Sequence, residues 1–197
     1  MQITLDRVNQ LLGDRIDHLL DTKDRVVVAI DGNSTAGKST LASLLKDSRS
    51  CNVISMDHFF LRPEQRIPER LSQPGGNIDY ERFLDQVITP LSTGESFVYF
   101  PYDCKLDKPG DPVNITSNPL TVIEGVYSMH PKFSTTGIYD ISVFLHIDKG
   151  EQNSRLLSRN PQLYDRFINE WIPMENKYFD FFQISEKCDF VTKSEDI

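Results

Sequence analysis

The sequence predicts an α/β fold: a parallel sheet layered between helices, in one domain spanning residues 1–197. Three observations carry this. Val26-Val27-Val28-Ala29-Ile30 is an unbroken, largely β-branched run, as expected of a strand buried on both faces. Shorter apolar runs recur at Cys51–Met56, Leu120–Ile123, Ile141–Ile147 and Asp189–Thr192, separated by segments of helical periodicity. At 197 residues, 39% hydrophobic and 10% aromatic, the chain can fill one good-sized core.

Taken in order, Ile3–Leu20 places Leu5, Val8, Leu12, Ile16 and Leu19 at helical spacing, which predicts an amphipathic helix within residues 1–22 that Gly13 weakens. The Val26–Ile30 strand breaks into Gly32-Asn33-Ser34-Thr35-Ala36-Gly37-Lys38-Ser39, followed by the helical pattern Thr40–Leu45. Every fixed position of G-x-x-x-x-G-K-[ST] is matched, and strand, glycine loop and helix stand in the order that gives the motif its mechanism. Glycines let the backbone wrap a polyphosphate with N–H groups inward, and the helix adds the positive end of its dipole. Lys38 is expected to reach the β- and γ-phosphates from the crevice, and the Ser39 hydroxyl to hold Mg²⁺. Residues 32–40, Thr40 included, form the expected nucleoside triphosphate site, with ATP the expected donor.

The second apolar run ends in Asp57-His58-Phe59-Phe60. A carboxylate past the C-terminal end of a parallel strand faces the crevice where such sheets bind ligands. Asp57 can accept a proton from an attacking hydroxyl, help hold metal, or merely cap a turn. Residues 58–78, broken by Pro63, Pro68, Pro74 and Gly75-Gly76, read either as a solvated loop or as a flap closing on substrate. Ile78–Leu91 returns to helical spacing, with Asp79 where a helix would begin. Ser96–Phe100 reads as a strand with Val113–Thr116 pairing back, a small hairpin around Tyr102 and Asp103. Leu120–Ile123 ends in Glu124-Gly125, an apolar run with a terminal acid of Walker B type, whose carboxylate orients Mg²⁺. Beyond the fourth strand, Arg155 and Arg159 stand at i, i+4 before the Asn160-Pro161 break, and Arg166 follows it. Residues 149–166 therefore read as a lid bringing cations to a transferring phosphoryl group, or as solvated helix charge. Phe167–Phe182 is a long aromatic-rich helix expected to be bent or interrupted at Pro173.

The net charge of −8 argues against a general nucleic-acid or membrane-surface partner. Three cysteines without C-x-x-C spacing indicate neither a disulfide framework nor a zinc site. No leader-like or membrane-length apolar segment is present, so a cytoplasmic protein is expected, with self-association left open.

The phosphate loop, Asp57-His58-Phe59-Phe60, Asn77-Ile78-Asp79, Tyr102-Asp103, Ile123-Glu124-Gly125 and the Arg155/Arg159 helix together resemble the phosphoribulokinase/uridine kinase family of P-loop kinases, most nearly its uridine kinases. The resemblance covers nearly the whole chain after Asp24. It implies a three-layer P-loop kinase fold, with five parallel strands in the order 2-3-1-4-5, a substrate-side hairpin and a lid. It further implies that Asp57 acts as base, that Asp79 binds ribose hydroxyls, and that Tyr102 lies against the acceptor's base. Phe60 and Asp103 would share the acceptor site, Glu124 would serve the metal, and Arg155, Arg159 and Arg166 would be lid arginines. The chain differs where the family usually carries a histidine after Tyr-Asp, since Lys105, Leu106 and Asp107 stand there. Ile78 replaces the usual aromatic before the ribose-binding acid.

The expected activity is ATP-dependent transfer to a primary hydroxyl of a small molecule, foremost the 5′-OH of a ribonucleoside. Pantothenate, nicotinamide riboside or a sugar phosphate are the alternatives, and the Arg62/Arg66/Arg70 series would suit an anionic acceptor. A non-catalytic nucleotide-binding switch is the competing class, but Asn176-Lys177-Tyr178-Phe179 lacks the acid of the guanine motif.

Overall fold

A computed structural model describes residues 5–104 and 106–192. Its centre is β1 (Val26–Gly32), buried at every position. It lies between β3 (Leu120–Glu124) and β4 (Ile141–Leu145), and the edges are β2 (Asn52–Ser55) and β5 (Phe190–Thr192). All four pairings are parallel. Numbered along this sheet alone, the order is 2-3-1-4-5. Four short antiparallel segments lie between the second and third strands in sequence but outside the sheet.

The period of two in β1 divides the core. Val26, Val28 and Ile30 face Leu12, Ile16, Leu41 and Leu45 of α1 (Leu5–Leu20) and α2 (Lys38–Ser48). Val27 and Ala29 face the opposite layer, where Phe83, Tyr178 and Phe179 come from α3 (residues 80–93) and α5 (residues 164–182). Between them in sequence, α4 (Lys149–Arg159) begins at an Asp148 cap. Among the described residues, no helix is long and apolar enough to cross a membrane.

Three expectations gain detail, and the start of α3 at Asp79 holds. Gly13 does not interrupt α1: a Cβ there would stand 2.4 Å from the Arg49 guanidinium, so the glycine makes room for Arg49 to pair with Asp17 at 2.7 Å. Ile78 lies outside α3 and bridges Phe60, because the Asp79 carboxylate caps the helix by accepting from the Arg82 N–H at 3.1 Å. Pro173 does not end the last helix, and the α-helical pattern is interrupted only by a change of pitch just before it. It follows a π-helical stretch, Phe167–Trp171, just as Pro90 of α3 follows the π-helical Leu84–Ile88. In each, the residue before proline donates five residues back, Ile172 to Phe167 and Thr89 to Leu84. The wider turn gives a ring that cannot donate its own bond a place in a continuous helix.

His130 is 4% exposed and stacks on Tyr80, with ring centroids 5.1 Å apart. Burial, aided by nearby Arg70 and Lys132, pushes its pKa down from 6.5 to about 4. The unfolded chain therefore binds a proton below 6.5 that the folded chain takes up only near 4. The neutral ring's contribution is whole above the unfolded value and is lost as pH falls through this window. We expect His130→Phe to remove about 2 kcal/mol of the stability difference between pH 7 and pH 5. Urea midpoints of both proteins at the two pH values measure this; equal pH slopes would disprove it. His58 and His146, whose pKa values burial also lowers, remain in both proteins and cancel.

Candidate active site

The site is built where β1 ends. Gly32 has φ 137°, and a Cβ there would lie 2.2 Å from the Leu145 carbonyl, so glycine alone lets the loop pass β4. Thr35 takes a left-handed φ of 65°, and Gly37, with φ 96°, caps α2. Lys38 does not project freely into the crevice as expected. It is 8% exposed and its ammonium donates to Gly32 O at 2.9 Å and Asn33 O at 2.7 Å, lying across the loop. Ala36 is buried, while Ser39 and Thr40 open α2 on its exposed side.

The Ser39 hydroxyl donates to Glu124 Oε2 at 3.0 Å. Sheet register makes the meeting possible: Glu124 pairs with Ile30 of β1 and with Ser55 of β2. A hydroxyl and a carboxylate at one strand end are hard oxygen donors of the kind Mg²⁺ accepts while keeping water and phosphate in its shell. Among the described residues, no group of three His, Cys, Asp or Glu could hold a metal alone. Two residues past Ser55, Asp57 is exposed on the 3-10 turn Met56–Phe59, its N–H donating to Ser55 Oγ at 3.4 Å. Burial pushes the Cys104 thiol, next to the Tyr102–Asp103 hairpin, above its ordinary pKa.

One solved structure, described as a possible uridine kinase from Bacillus stearothermophilus, matches with a TM-score of 0.66 at 24% identity, over 92% of this chain and 99% of that one. This chain has the P-loop kinase fold. YFH7 from Saccharomyces cerevisiae, described as a candidate P-loop containing kinase with a circular permutation, matches with a TM-score of 0.54 at 12% identity, over 91% of this chain and 94% of that one. No protein-family model and no curated protein matches the sequence.

Within the P-loop kinase fold, the remaining residues lie at differing depths. Asp79 is 1% exposed; besides its capping bond it meets the Arg82 guanidinium at 3.3 Å and Arg62 at 3.8 Å. Tyr102 is buried, its hydroxyl donating to Asp107 at 2.6 Å. Asp103 accepts the Leu106 N–H at 3.1 Å, and Phe60 is half-buried at the end of the 3-10 turn. Of the three arginines expected in a lid, the structure brings one to the loop. Arg155 donates to Thr35 O at 3.0 Å. Arg159 sits one helical turn further on, about 6 Å along the axis, and is exposed. Arg166, past the proline break, pairs with Glu170 at 3.1 Å and covers the Trp171 ring at 4.7 Å.

Four residues that sequence reading passed over brace the site. Arg82 donates to His58 O at 2.9 Å and Phe100 O at 2.7 Å, tying the Asp57 turn to the hairpin. Its spacing of three from Asp79 was the available signal. Asp31, fully buried, accepts from the backbone N–H groups of Gly32, Tyr127 and Met129 at 2.7, 3.2 and 3.0 Å and from the Tyr178 hydroxyl at 2.8 Å. Burial raises its pKa against the pull of those bonds. An acid closing an apolar strand just before the first loop glycine was its signal. Gln152 of α4 and Glu175 of α5 both reach Ser34, and nothing in their local sequence marks them.

Proposed function

We propose that this chain is a small-molecule kinase that moves the γ-phosphate of ATP to a primary hydroxyl, with the 5′-OH of a ribonucleoside as acceptor. The observation that carries this reading is the Ser39–Glu124 contact at the mouth of the phosphate loop, with Asp57 on the turn that follows the neighbouring strand. Phosphoryl transfer needs little covalent chemistry from the protein, so positioning and charge neutralisation carry it. Loop N–H groups and Lys38 would cradle the triphosphate, and Arg155 would bring a second cation to the loop. Ser39 and Glu124 would hold Mg²⁺, which when bound supplies neutralisation of the phosphate charge. Asp57 would orient the acceptor hydroxyl and accept its proton, while Tyr102, Asp103, Phe60 and Asp79 shape the acceptor side. Three free thiols fit a reducing, cytoplasmic setting.

A neutral acceptor is favoured over an anionic one by the state of the flap arginines. Arg62 faces Glu64 at 3.5 Å, Arg66 faces Asp107 at 3.3 Å, and Arg70 faces Glu81 at 2.8 Å while covering the Tyr80 ring at 3.6 Å. Each is already matched by a carboxylate. An ADP-release assay against ribonucleosides, pantothenate, nicotinamide riboside and sugar phosphates tests the reading. Turnover with a ribonucleoside supports it; turnover only with a phosphorylated acceptor moves the substrate class, and none with any hydroxyl acceptor removes the kinase assignment.

The metal roles have their own test. Glu124→Gln is expected to raise the Mg²⁺ concentration for half-maximal rate by roughly 10–100-fold, the range for losing a group that holds or orients a metal shell. An unchanged Mg²⁺ requirement would make Glu124 a strand-end residue only.

A further inference from the structure

Ser34, third residue of the phosphate loop, is gripped by two helices. Gln152 of α4 donates to its carbonyl at 3.0 Å. Glu175 of α5 accepts from its N–H at 3.1 Å through Oε2 and from its hydroxyl through Oε1. Glu175 is 5% exposed. Tyr178, one turn on, donates to Asp31 at the base of the same loop at 2.8 Å, so one face of α5 bears on the cradle at two points.

The bracing could be done without charge. A glutamine at 175 would accept from the Ser34 N–H with its carbonyl and meet the hydroxyl with its amide. The chain buries a carboxylate there instead, at a desolvation cost. Burial pushes its pKa above the usual carboxylate range, while Lys38 and the Ser34 bonds pull the other way and the charge of Asp31 adds to the rise. Phosphate loops bind anions because consecutive N–H groups converge on one point. Here one of those groups already holds an anion, and it belongs to the chain.

We propose that Glu175 is an internal competitor for the phosphate loop: its carboxylate holds the Ser34 donors that a polyphosphate would take, and polyphosphate binding releases it from the loop. The inference rests on the loop being a nucleotide site. It makes Glu175 a determinant of nucleotide affinity and couples the seating of α5 to occupancy of the loop. The charges nearest Glu175 are Lys38 and Asp31, with the Tyr127 phenol, whose pKa is raised by burial and then by Glu175 itself, also facing it.

The test uses the full chain, with inorganic tripolyphosphate, ATP and adenosine as probes. Binding is read by calorimetry and by the fluorescence of Trp171, the chain's single tryptophan, one helical turn before Glu175. Glu175→Gln is expected to bind tripolyphosphate and ATP about tenfold more tightly than wild type, since a buried like charge is removed from the site, with adenosine affinity unchanged. In wild type, tripolyphosphate is expected to shift the Trp171 emission. Glu175→Ala, which removes the carboxylate and its bonds together, moves affinity in the same direction and decides the matter should the glutamine variant not fold. Equal or weaker tripolyphosphate binding by folded variants, with wild type binding normally, makes Glu175 a brace and leaves the nucleotide site standing. If neither wild type nor variants bind tripolyphosphate or ATP, the nucleotide site falls, and the competitor with it.

Discussion

Replacing Lys38 by alanine is expected to abolish phosphoryl transfer, lowering kcat/KM by roughly 10³ or more, because it removes a positioned cation from where charge develops. The geometry refines how this must be measured. Lys38 is 8% exposed and its ammonium is bonded to two loop carbonyls, so the alanine variant also loses bonds that hold the loop. A charge-assisted hydrogen bond is typically worth about 1.5–3 kcal/mol, enough to lower the melting temperature without unfolding a domain of this size. Lys38→Met loses the same charge and the same two bonds but keeps the stem, so the difference between the two variants isolates the packing of the stem. Both variants should show the same loss of ADP release while methionine melts closer to wild type. Undiminished turnover by a folded Lys38→Met protein would remove the loop from the reaction.

Asp57→Asn is expected to depress kcat by about 10²–10⁴, the usual contribution of a general base, with the ATP dissociation constant nearly unchanged. Asp57 is exposed, two residues past the Ser55 that pairs with Glu124, and in the proposed reading it would meet the acceptor and not the triphosphate. Proton removal matters mainly in the transition state, and such a loss falls on kcat more than on binding. Rates at saturating acceptor, with ATP affinity from equilibrium binding, resolve the two. Loss confined to ATP affinity would reassign Asp57 to the metal. Asp79→Asn is a poorer probe than its position in the chain implies. Its carboxylate is 1% exposed and caps α3, so a change there disturbs the helix start as well as any hydroxyl contact.

What could be read from the chain was what local chemistry dictates. Strand β1, the glycine loop and the start of α2 follow from β-branched residues, glycines and a lysine at fixed spacing, and the structure adds only where Lys38 lies. The Ser39–Glu124 meeting was legible because a terminal acid on a buried strand must emerge at the sheet's carboxyl edge. Other features depend on distances that sequence does not carry. Glu175 is 141 residues from Ser34, and Gln152 is 118 away; only the docking of α4 and α5 brings them to the loop. Arg155, Arg159 and Arg166 were all expected in a lid, yet only Arg155 reaches the loop, Arg159 lying a helical turn further on and Arg166 pairing with Glu170 past the proline break. The pairing of Arg66 and Arg70 was likewise invisible, since Asp107 and Glu81 lie 41 and 11 residues from their partners.

Asp31 has a consequence for affinity itself. Its carboxylate holds the N–H groups of Gly32, Tyr127 and Met129 and the hydroxyl of Tyr178, so the loop, the turn after β3 and α5 share one buried anchor. Fixing the backbone of a residue costs about 1–2 kcal/mol of conformational entropy, and a floppy glycine loop would incur that loss each time a ligand arrived. Here it is incurred once, when the chain folds, and the cradle meets its anion already shaped. What a nucleotide must then overcome is not disorder but the one carboxylate seated at Ser34.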